Sequence, residues 1–544
     1  MKWLHTVRHL RPVQIYGRIW FKLYRPSIDL SPAAAVRPIF GALTVPAQRK
    51  SSLLYPWVFR FLNEEHALVE PGDWDNSSVG KLWCYNLHYF DDLNAKGAAA
   101  RSDWHRALIG RWLLENSPGQ GTGWEPYPTS LRIVNWIKWA LAGNHLEPEW
   151  LHSLAVQVRW LTKRLEVHLL GNHLFSNAKA LVFAGLFFEG PEAAVWLEKG
   201  MAILAREVPE QILPDGGHCE RSPMYHALAV EDMLDLINLA ATSPGGVPER
   251  WRGFAASWPE TVGRMRIWLA AMCHPDGEIS FFNDAAIGIA PSPTALETYA
   301  GRLLLPPVPA PRDGATHFAD SGYIRVQRGE MVALLDVAPV GTDYLPGHAH
   351  ADTLSFELSL FGRRVLVNSG TSRYGVGSER LRQRGTAAHN TVMIDGQDSS
   401  EVWGGFRVAR RASPFGLRVE EDGNGMRVVC SHDGYARLAG RPMHRREWRF
   451  SDGALEIVDV IEGEFREAVS HLFFSPGMEV SEENSTETGH AGFSDGRSIA
   501  WRVEGSAARV VPATYHAEFG AVEPNRCLEM RFAGPRCTIR LRWD

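Results

Sequence analysis

Three histidines, an aspartate and two asparagines crowd into the stretch from Gly347 to Ile394. They fall in Gly347-His348-Ala349-His350-Ala351-Asp352, Asn368-Ser369-Gly370-Thr371 and His389-Asn390-Thr391. If His348 and His350 alternate along a strand, their side chains leave on one face. The period-two run Leu354-Ser355-Phe356-Glu357-Leu358-Ser359-Leu360 supports a strand here. A turn at Gly362 and a second strand, Val365-Leu366-Val367, would then put Asn368 at a strand end. Imidazole and carboxylate are the donor types that hold zinc or another divalent ion. A lone His-x-His pair is also common as ordinary hydrogen-bonded polarity on a sheet. The weight therefore rests on what accompanies it.

Three further polar clusters lie upstream: Tyr85-Asn86-Leu87-His88-Tyr89-Phe90-Asp91-Asp92, Gly171-Asn172-His173-Leu174-Phe175-Ser176-Asn177, and the run from Pro214 to His226, which holds Glu220-Arg221-Ser222-Pro223-Met224-Tyr225-His226. Taken singly, Asn172 reads equally as a helix cap or turn residue, and Tyr225 as a buried anchor with a satisfied hydroxyl.

The elements that must position these residues fall into two classes. From about residue 80 to 304 apolar residues recur at three and four, which predicts helices over 104–116, 130–143, 148–170, 175–188, 193–208, 226–241, 257–273 and 294–304, with Pro or Gly between nearly every pair. Short connections pair such helices antiparallel, and stacked pairs make a solenoid or a ring. The Pro-rich linker at 305–316 is the clearest boundary. From 317 to 544 the period is two, with Gly and Asp-Gly turns, which predicts antiparallel sheets packed as a sandwich. Residues 1–79 read as a basic helical or extended leader to these domains. Within them Leu4, Val7 and Leu10 suggest a short amphipathic helix that docks on its own domain or, as a minority use, on a membrane surface.

A chain of 544 residues with 45% hydrophobic residues and 20 Trp can bury more than one core. A net charge of −5 argues against nucleic acid as a partner. Between Arg363 and Arg449 there are sixteen Arg and no Lys against nine acids. That imbalance fits either a cleft that steers a polyanion or a sheet face of cross-strand ion pairs. Six scattered Cys without C-x-x-C argue against a disulfide framework or a thiolate zinc site. No run is apolar for long enough to predict an integral membrane segment. The basic N-terminus lacks the apolar core and cleavage site of a signal peptide, so a cytoplasmic location or export by a non-standard route is expected.

Taken together, Asn172-His173 and Ser222-Pro223-Met224-Tyr225-His226 in a helical half, followed by His348-x-His350 and His389-Asn390-Thr391 in a β half, resemble the heparinase II/III-like polysaccharide lyases. The likeness spans roughly residues 80 to 400 and continues loosely to the C-terminus. The resemblance implies an incomplete (α/α) toroid followed by an antiparallel β-sandwich domain. It also implies β-elimination on an acidic, uronic-acid polysaccharide such as a glycosaminoglycan (hyaluronan, chondroitin or a heparan type). Asn172 and His173 match the family's carboxylate-neutralising pair, Tyr225 its catalytic Tyr, and His348 its second base. His350, Asn368 and His389 match its metal-ligand positions, implying a structural divalent ion such as Zn or Mn. The family usually has Asp-Ser-Gly where this chain has Asn368-Ser369-Gly370, so either the ion is lost with that carboxylate or Asp352 helps to hold it. For His348 to face substrate while His350 faces the ion, the strand must bulge, for which Gly347 gives freedom. His88, Tyr89, Arg132, Glu220, Arg221 and Arg373 are candidates for sugar contacts.

The residue types suit that chemistry. Removing the proton next to a carboxylate builds up a dianion, which an amide or cation must stabilise. A base takes the proton and an acid protonates the leaving oxygen; a phenol titrating near ~10 serves as a base only when activated. Alternatives are an alginate or exopolysaccharide lyase tied to polymer biosynthesis, an inactive carbohydrate-binding relative, and a glycoside hydrolase using two of Asp91, Asp92, Asp215, Glu220 and Asp284.

Overall fold

The computed structural model describes residues 2–38, 41–243, 245–423, 425–483 and 486–544. Two short helices, α1 (Lys2–Val7) and α2 (Pro12–Leu23), precede a small three-stranded sheet spanning residues 53–67. The helical half follows: α3 (Lys81–Tyr89), α4 (Ser102–Glu115), α5 (Pro126–Leu141), α6 (Pro148–Lys163), α7 (Gly171–Phe187), α8 (Pro191–Gln211), α9 (Pro223–Thr242), α10 (Glu249–Ala256), α11 (Trp258–Ala271) and α12 (Pro293–Arg302). Five of these open on proline, whose fixed φ suits a first turn and whose missing N–H has no partner to lose there.

Packing alternates inner and outer helices. The inner series runs α3, α5, α7, α9, α12, while α4, α6, α8 and α11 pack outside it, an incomplete (α/α) toroid. The inner helices α7 and α9 are buried nearly all round. A cage of buried indoles, Trp74, Trp112, Trp124 and Trp136, fills the first half of the ring. The expected helix over 148–170 ends at Lys163, and the loop after it delivers Gly171 to the start of α7.

After residues 303–313, which hold no strand, two antiparallel sheets pack face to face. One orders its strands 506–515, 523–532, 468–474, 363–366, 356–360, 331–336, 323–328 and 314–318, with 392–394 beside 468–474. The other orders 414–422, 425–432, 443–451, 454–462, 536–542, 498–504, 488–492 and 479–482. Phe356, Leu358, Phe474 and Leu528 meet Trp448, Ile457, Trp501 and Ile539 between them, as period-two patterning requires. A final short helix, α13 (Ser378–Arg384), projects from the first sheet toward the toroid.

The expected strand at His348 is absent: residues 346–349 form a turn, closed by the Ala349 amide on the Pro346 carbonyl (3.2 Å), and the strand begins only at Phe356. Part of the arginine-rich stretch is an ion-paired sheet face, with Arg427, Arg445 and Arg449 all on Glu447, while Arg364, Arg380, Arg384 and Arg446 are buried and Arg373 lines the cleft.

Arg446 is buried between the sheets and takes both oxygens of Asp459 at 2.7 and 2.8 Å, where His444 adds a third contact at 2.7 Å. Asp459→Ala is therefore expected to cost about 3–5 kcal/mol, the scale for orphaning a buried charge. Chemical denaturation measures it, and a loss below ~1 kcal/mol would mean the guanidinium finds water or other acceptors.

Candidate active site

The toroid and the sandwich meet along a cleft of about 2110 Å³, lined by Asn172, His173, Glu220, Tyr225, His348 and Arg373 among others. Single small-molecule sites occupy roughly 300–1,000 Å³, so this cleft has room for a polymer segment.

The helical wall is set by two helix starts. Leu170 and Gly171 both adopt positive φ (62° and 53°) to turn the chain into α7. A Cβ on Gly171 would lie 2.4 Å from Leu345 Cδ2 and 3.2 Å from Glu220 Oε1, so glycine is what allows this approach to the sandwich loop. Asn172 follows, half-buried, its side-chain amide unpartnered among the described residues. His173 Nδ1 lies 3.1 Å from Glu166 Oε1 and its ring rests on Tyr127. Burial opposes its charge, but Glu166 outweighs that and holds the imidazole above its ordinary range. At the second start, Ser222 caps α9 by accepting from the Tyr225 amide (3.2 Å), which fixes the phenol at the cleft floor.

Tyr225 Oη lies 2.9 Å from Tyr374 Oη, and its ring centroid lies 4.0 Å from that of His348. Burial, with Tyr374 and Asp284 nearby, raises the Tyr225 pKa well above the usual phenol value, so it is neutral and holds its proton. His348 Nδ1 lies 2.8 Å from Asp284 Oδ2. Because a carboxylate only accepts, Nδ1 carries the hydrogen and Nε2 presents a lone pair to the cleft. That Nε2 lies 3.7 Å from Glu220 Oε2. Among the described residues no side chain donates to the buried Glu220 carboxylate, and burial pushes its pKa up.

Asp284 binds more than His348. Its other oxygen lies 2.8 Å from His350 Nε2, and Arg380 of α13 forks onto both oxygens. Burial alone would raise this carboxyl, but Arg380 and the two imidazoles hold it well below its usual range. The two histidines thus share one carboxylate from a turn, not one face of a strand.

His350 Nδ1 faces His389 Nε2 at 3.1 Å. His350 spends its N–H on Asp284, and His389 Nδ1 donates to the Gly385 carbonyl (2.8 Å). As neutral rings they direct two lone pairs at each other, and burial lowers both pKa values, that of His350 to about 4. A second His pair shows the ordinary alternative. His432 accepts at Nδ1 from the Gly434 amide, so its Nε2–H donates to His444 Nδ1 (3.2 Å). In the neutral rings of His350 and His389 the facing lone pairs repel, and Asp352 adds a third donor: ligand atoms of His350, Asp352 and His389 lie within 4.8 Å of one another, a donor set of the kind that holds a divalent ion. Asn368 is spent elsewhere. Its Oδ1 accepts from the Asn390 amide (3.1 Å) and its Nδ2 donates to the Phe281 carbonyl (3.0 Å).

The sugar-contact candidates divide. Tyr89, Glu220 and Arg373 line the cleft, Arg373 on its exposed rim. His88 and Arg132 are buried in the indole cage. The His88 ring accepts from Trp112 Nε1 (3.1 Å), and the Arg132 guanidinium lies 4.0 Å over the Trp112 ring while binding Gln157. They face the helical core because α3 and α5 turn those positions inward, away from sugar. Arg221 clamps the two halves, donating to the carbonyls of Ser321 (2.9 Å) and Gly341 (2.5 Å). Residues that sequence reasoning missed are Tyr374 and Arg380, and Asp284 in its orienting role. Their partners lie 64 to 149 positions away in the chain, so no spacing betrays them.

Residues 103–298 match the Heparinase II/III N-terminus and residues 310–544 match Heparinase II/III-like, C-terminal. A heparin-sulfate lyase of Bacteroides stercoris is 24% identical over 409 residues, 69% of this chain and 57% of that protein. FtsZ-localized protein C of Caulobacter vibrioides is 25% identical over 395 residues, 68% of this chain and 63% of its own. The chain thus spans 57% and 63% of the lengths of these two curated relatives. The crystal structure of heparinase III superposes with a TM-score of 0.74 at 20% identity, covering 97% of this chain and 89% of that one, which establishes a shared fold. With both of its halves matched in order and its architecture shared, the chain belongs to the heparinase II/III-like family.

Proposed function

We propose that this protein is a polysaccharide lyase that cleaves a uronate-bearing polymer by β-elimination, with glycosaminoglycans as the leading substrate class. The carrying observation is the set of three complementary groups on one cleft: the free amide of Asn172, the neutral phenol of Tyr225, and the cleft-facing Nε2 of His348 held by Asp284. The lyases and the FtsZ-localized protein are about equally distant, so the reading rests on these residues more than on the relatives' names.

In this reading the uronate carboxylate docks on Asn172 with His173 beside it, and their donors stabilise the charge that builds as C5 loses its proton. His348 Nε2 takes that proton. The electron pair left on C5 forms the C4=C5 double bond, the bond from C4 to the glycosidic oxygen breaks, and Tyr225 Oη protonates the departing oxygen. Tyr374, one hydrogen bond away, steadies the resulting phenolate. Arg373 supplies positive charge at the cleft rim for an acidic chain.

The carboxylates favour this over hydrolysis, which requires two flanking the bond. Asp284 is consumed by Arg380 and two His, Asp92 by Arg101 and His105, and Asp215 by Ser321 and Gly217, while Asp91, on the cleft wall, accepts from Asn135 through one oxygen. Among the described residues, Glu220 alone of the five candidates accepts from no side chain.

His350, Asp352 and His389 would hold a divalent ion of the zinc or manganese type. Such an ion would supply positive charge that fixes the turn carrying His348.

Tyr225→Phe is expected to lower kcat by at least ~10² on a uronate polymer without changing the melting temperature, read as absorbance of the unsaturated product; near-parental turnover would remove Tyr225 from the chemistry. Asn172→Ala is expected to lower kcat/KM by ~10²–10³. Equal cleavage of native and carboxyl-reduced polymer would contradict carboxylate neutralisation. Elemental analysis is expected to find one bound divalent ion, and stripping it with a chelator should lower the melting temperature. A metal-free protein that melts unchanged would leave the histidines as a hydrogen-bonded core only.

A further inference from the structure

The helix α2 is oriented against the usual rule. Its polar and small face is the buried one: Gly17 packs on His168, with room for a Cβ only at 3.1 Å from His168 Cβ, and Gln14 donates to the Tyr344 carbonyl (3.0 Å). Phe21 stacks on His168 at 4.4 Å, and Arg164 donates to the carbonyls of Phe21 and Tyr24, both at 2.7 Å. The helix is thus pinned to the toroid. Its opposite face, Tyr16, Ile19, Trp20 and Leu23, points to solvent, with Trp20 61% and Leu23 75% exposed. Helix α1 continues the patch with Trp3 and Leu4, the latter 73% exposed, and is anchored where Trp403 Nε1 of the sandwich donates to Thr6 Oγ1 (3.0 Å). Contiguous exposed apolar surface of this kind marks an interaction site.

The charge around the patch selects the partner. Residues 1–28 contain no acid, while Lys2, Arg8, Arg18, Lys22 and Arg25 are exposed and form no ion pair among the described residues. A second copy docked through the same patch would set these cations against themselves, because a two-fold interface is self-complementary. A hydrated polysaccharide offers nothing to Leu4, Ile19 and Leu23. A bilayer surface with anionic headgroups satisfies both components: aliphatic and indole side chains enter the headgroup boundary while Lys and Arg meet the lipid charge.

We propose that α1 and α2 form a membrane-surface docking site for anionic lipid, which seats the protein with the mouth of its cleft beside the bilayer. Trp3, Ile19, Arg18 and Lys22 belong both to the patch and its cationic flank and to the cleft wall, so the two surfaces are continuous. This assignment is independent of the reaction carried out in the cleft. Each cation brought to an anionic leaflet adds about fivefold in affinity, so binding should be salt-sensitive.

The test is co-sedimentation of the full chain with vesicles of phosphatidylglycerol and phosphatidylcholine, against vesicles of phosphatidylcholine alone. The expected result is pelleting with the anionic vesicles, weakened by salt, and reduced about tenfold or more in Trp20→Ser/Leu23→Ser and in Leu4→Ser. These side chains are exposed, so unchanged melting temperatures confirm that the variants fold, and Leu4→Ser tests the patch separately on α1. Failure of the parent to bind anionic vesicles, or equal binding by all variants, would overturn the proposal. So would light scattering that shows a dimer abolished by the same substitutions, or pelleting competed away by a soluble acidic polysaccharide while the substitutions change nothing.

Discussion

One buried carboxylate organises the seam between the two halves. Asp284 sits on a loop of the toroid, yet its side chain is gripped by three groups of the sandwich domain: His348, His350 and Arg380. Its backbone is used as well, since its amide donates to the His348 carbonyl and its carbonyl accepts from the Ser222 hydroxyl that caps α9. The phenol of Tyr225 and the imidazole of His348 are therefore placed by the same loop, one through a helix cap and the other through an ion pair. A buried charge left unpaired is costly, so the halves cannot drift apart without exposing or orphaning Asp284. The relative position of Tyr225 and His348, the proposed acid and base, is thereby tied to the stability of the interface.

That constraint also assigns the tautomers. A carboxylate cannot donate, so in the neutral rings the lone pair of His348 lies on Nε2 at the cleft and that of His350 on Nδ1 facing His389. The first consequence places an acceptor nitrogen on the cleft, where the proposed base must be. The second yields a pair of nitrogens that repel unless a cation joins them, with the free oxygen of Asp352 close by. The His432–His444 pair, with compatible tautomers, shows that the fold readily builds a neutral His–His hydrogen bond where no ion is called for.

Much of this was legible in the chain, and the failures have physical causes. Helical periodicity and proline-marked starts located the toroid, and period-two runs after the proline-rich linker located the sheets. Asn172 and Tyr225 stood out because each sits in a polar run just where a helix begins. His348 was found through a mistaken element: its alternation with His350 imitates a strand, but Pro346 and Gly347 make a turn, and both rings reach one acceptor across the domain boundary. His88 and Arg132 misled because periodicity identifies a helix without saying whether a polar residue on it meets solvent or an indole cage. Asn368 misled because an amide at a strand end serves backbone groups as well as it serves an ion. Asp284 and Arg380 were hidden by distance: 96 residues separate them, and neither lies in a patterned motif.

The central claim is elimination rather than hydrolysis at this seam, and the fate of water oxygen tests it most directly. A uronate polymer digested by the protein in heavy-oxygen water should give products whose mass spectra show no label introduced by bond cleavage and one water fewer than hydrolysis would yield, with a new double bond at the non-reducing end. Saturated products carrying one heavy oxygen per bond cleaved would contradict the account.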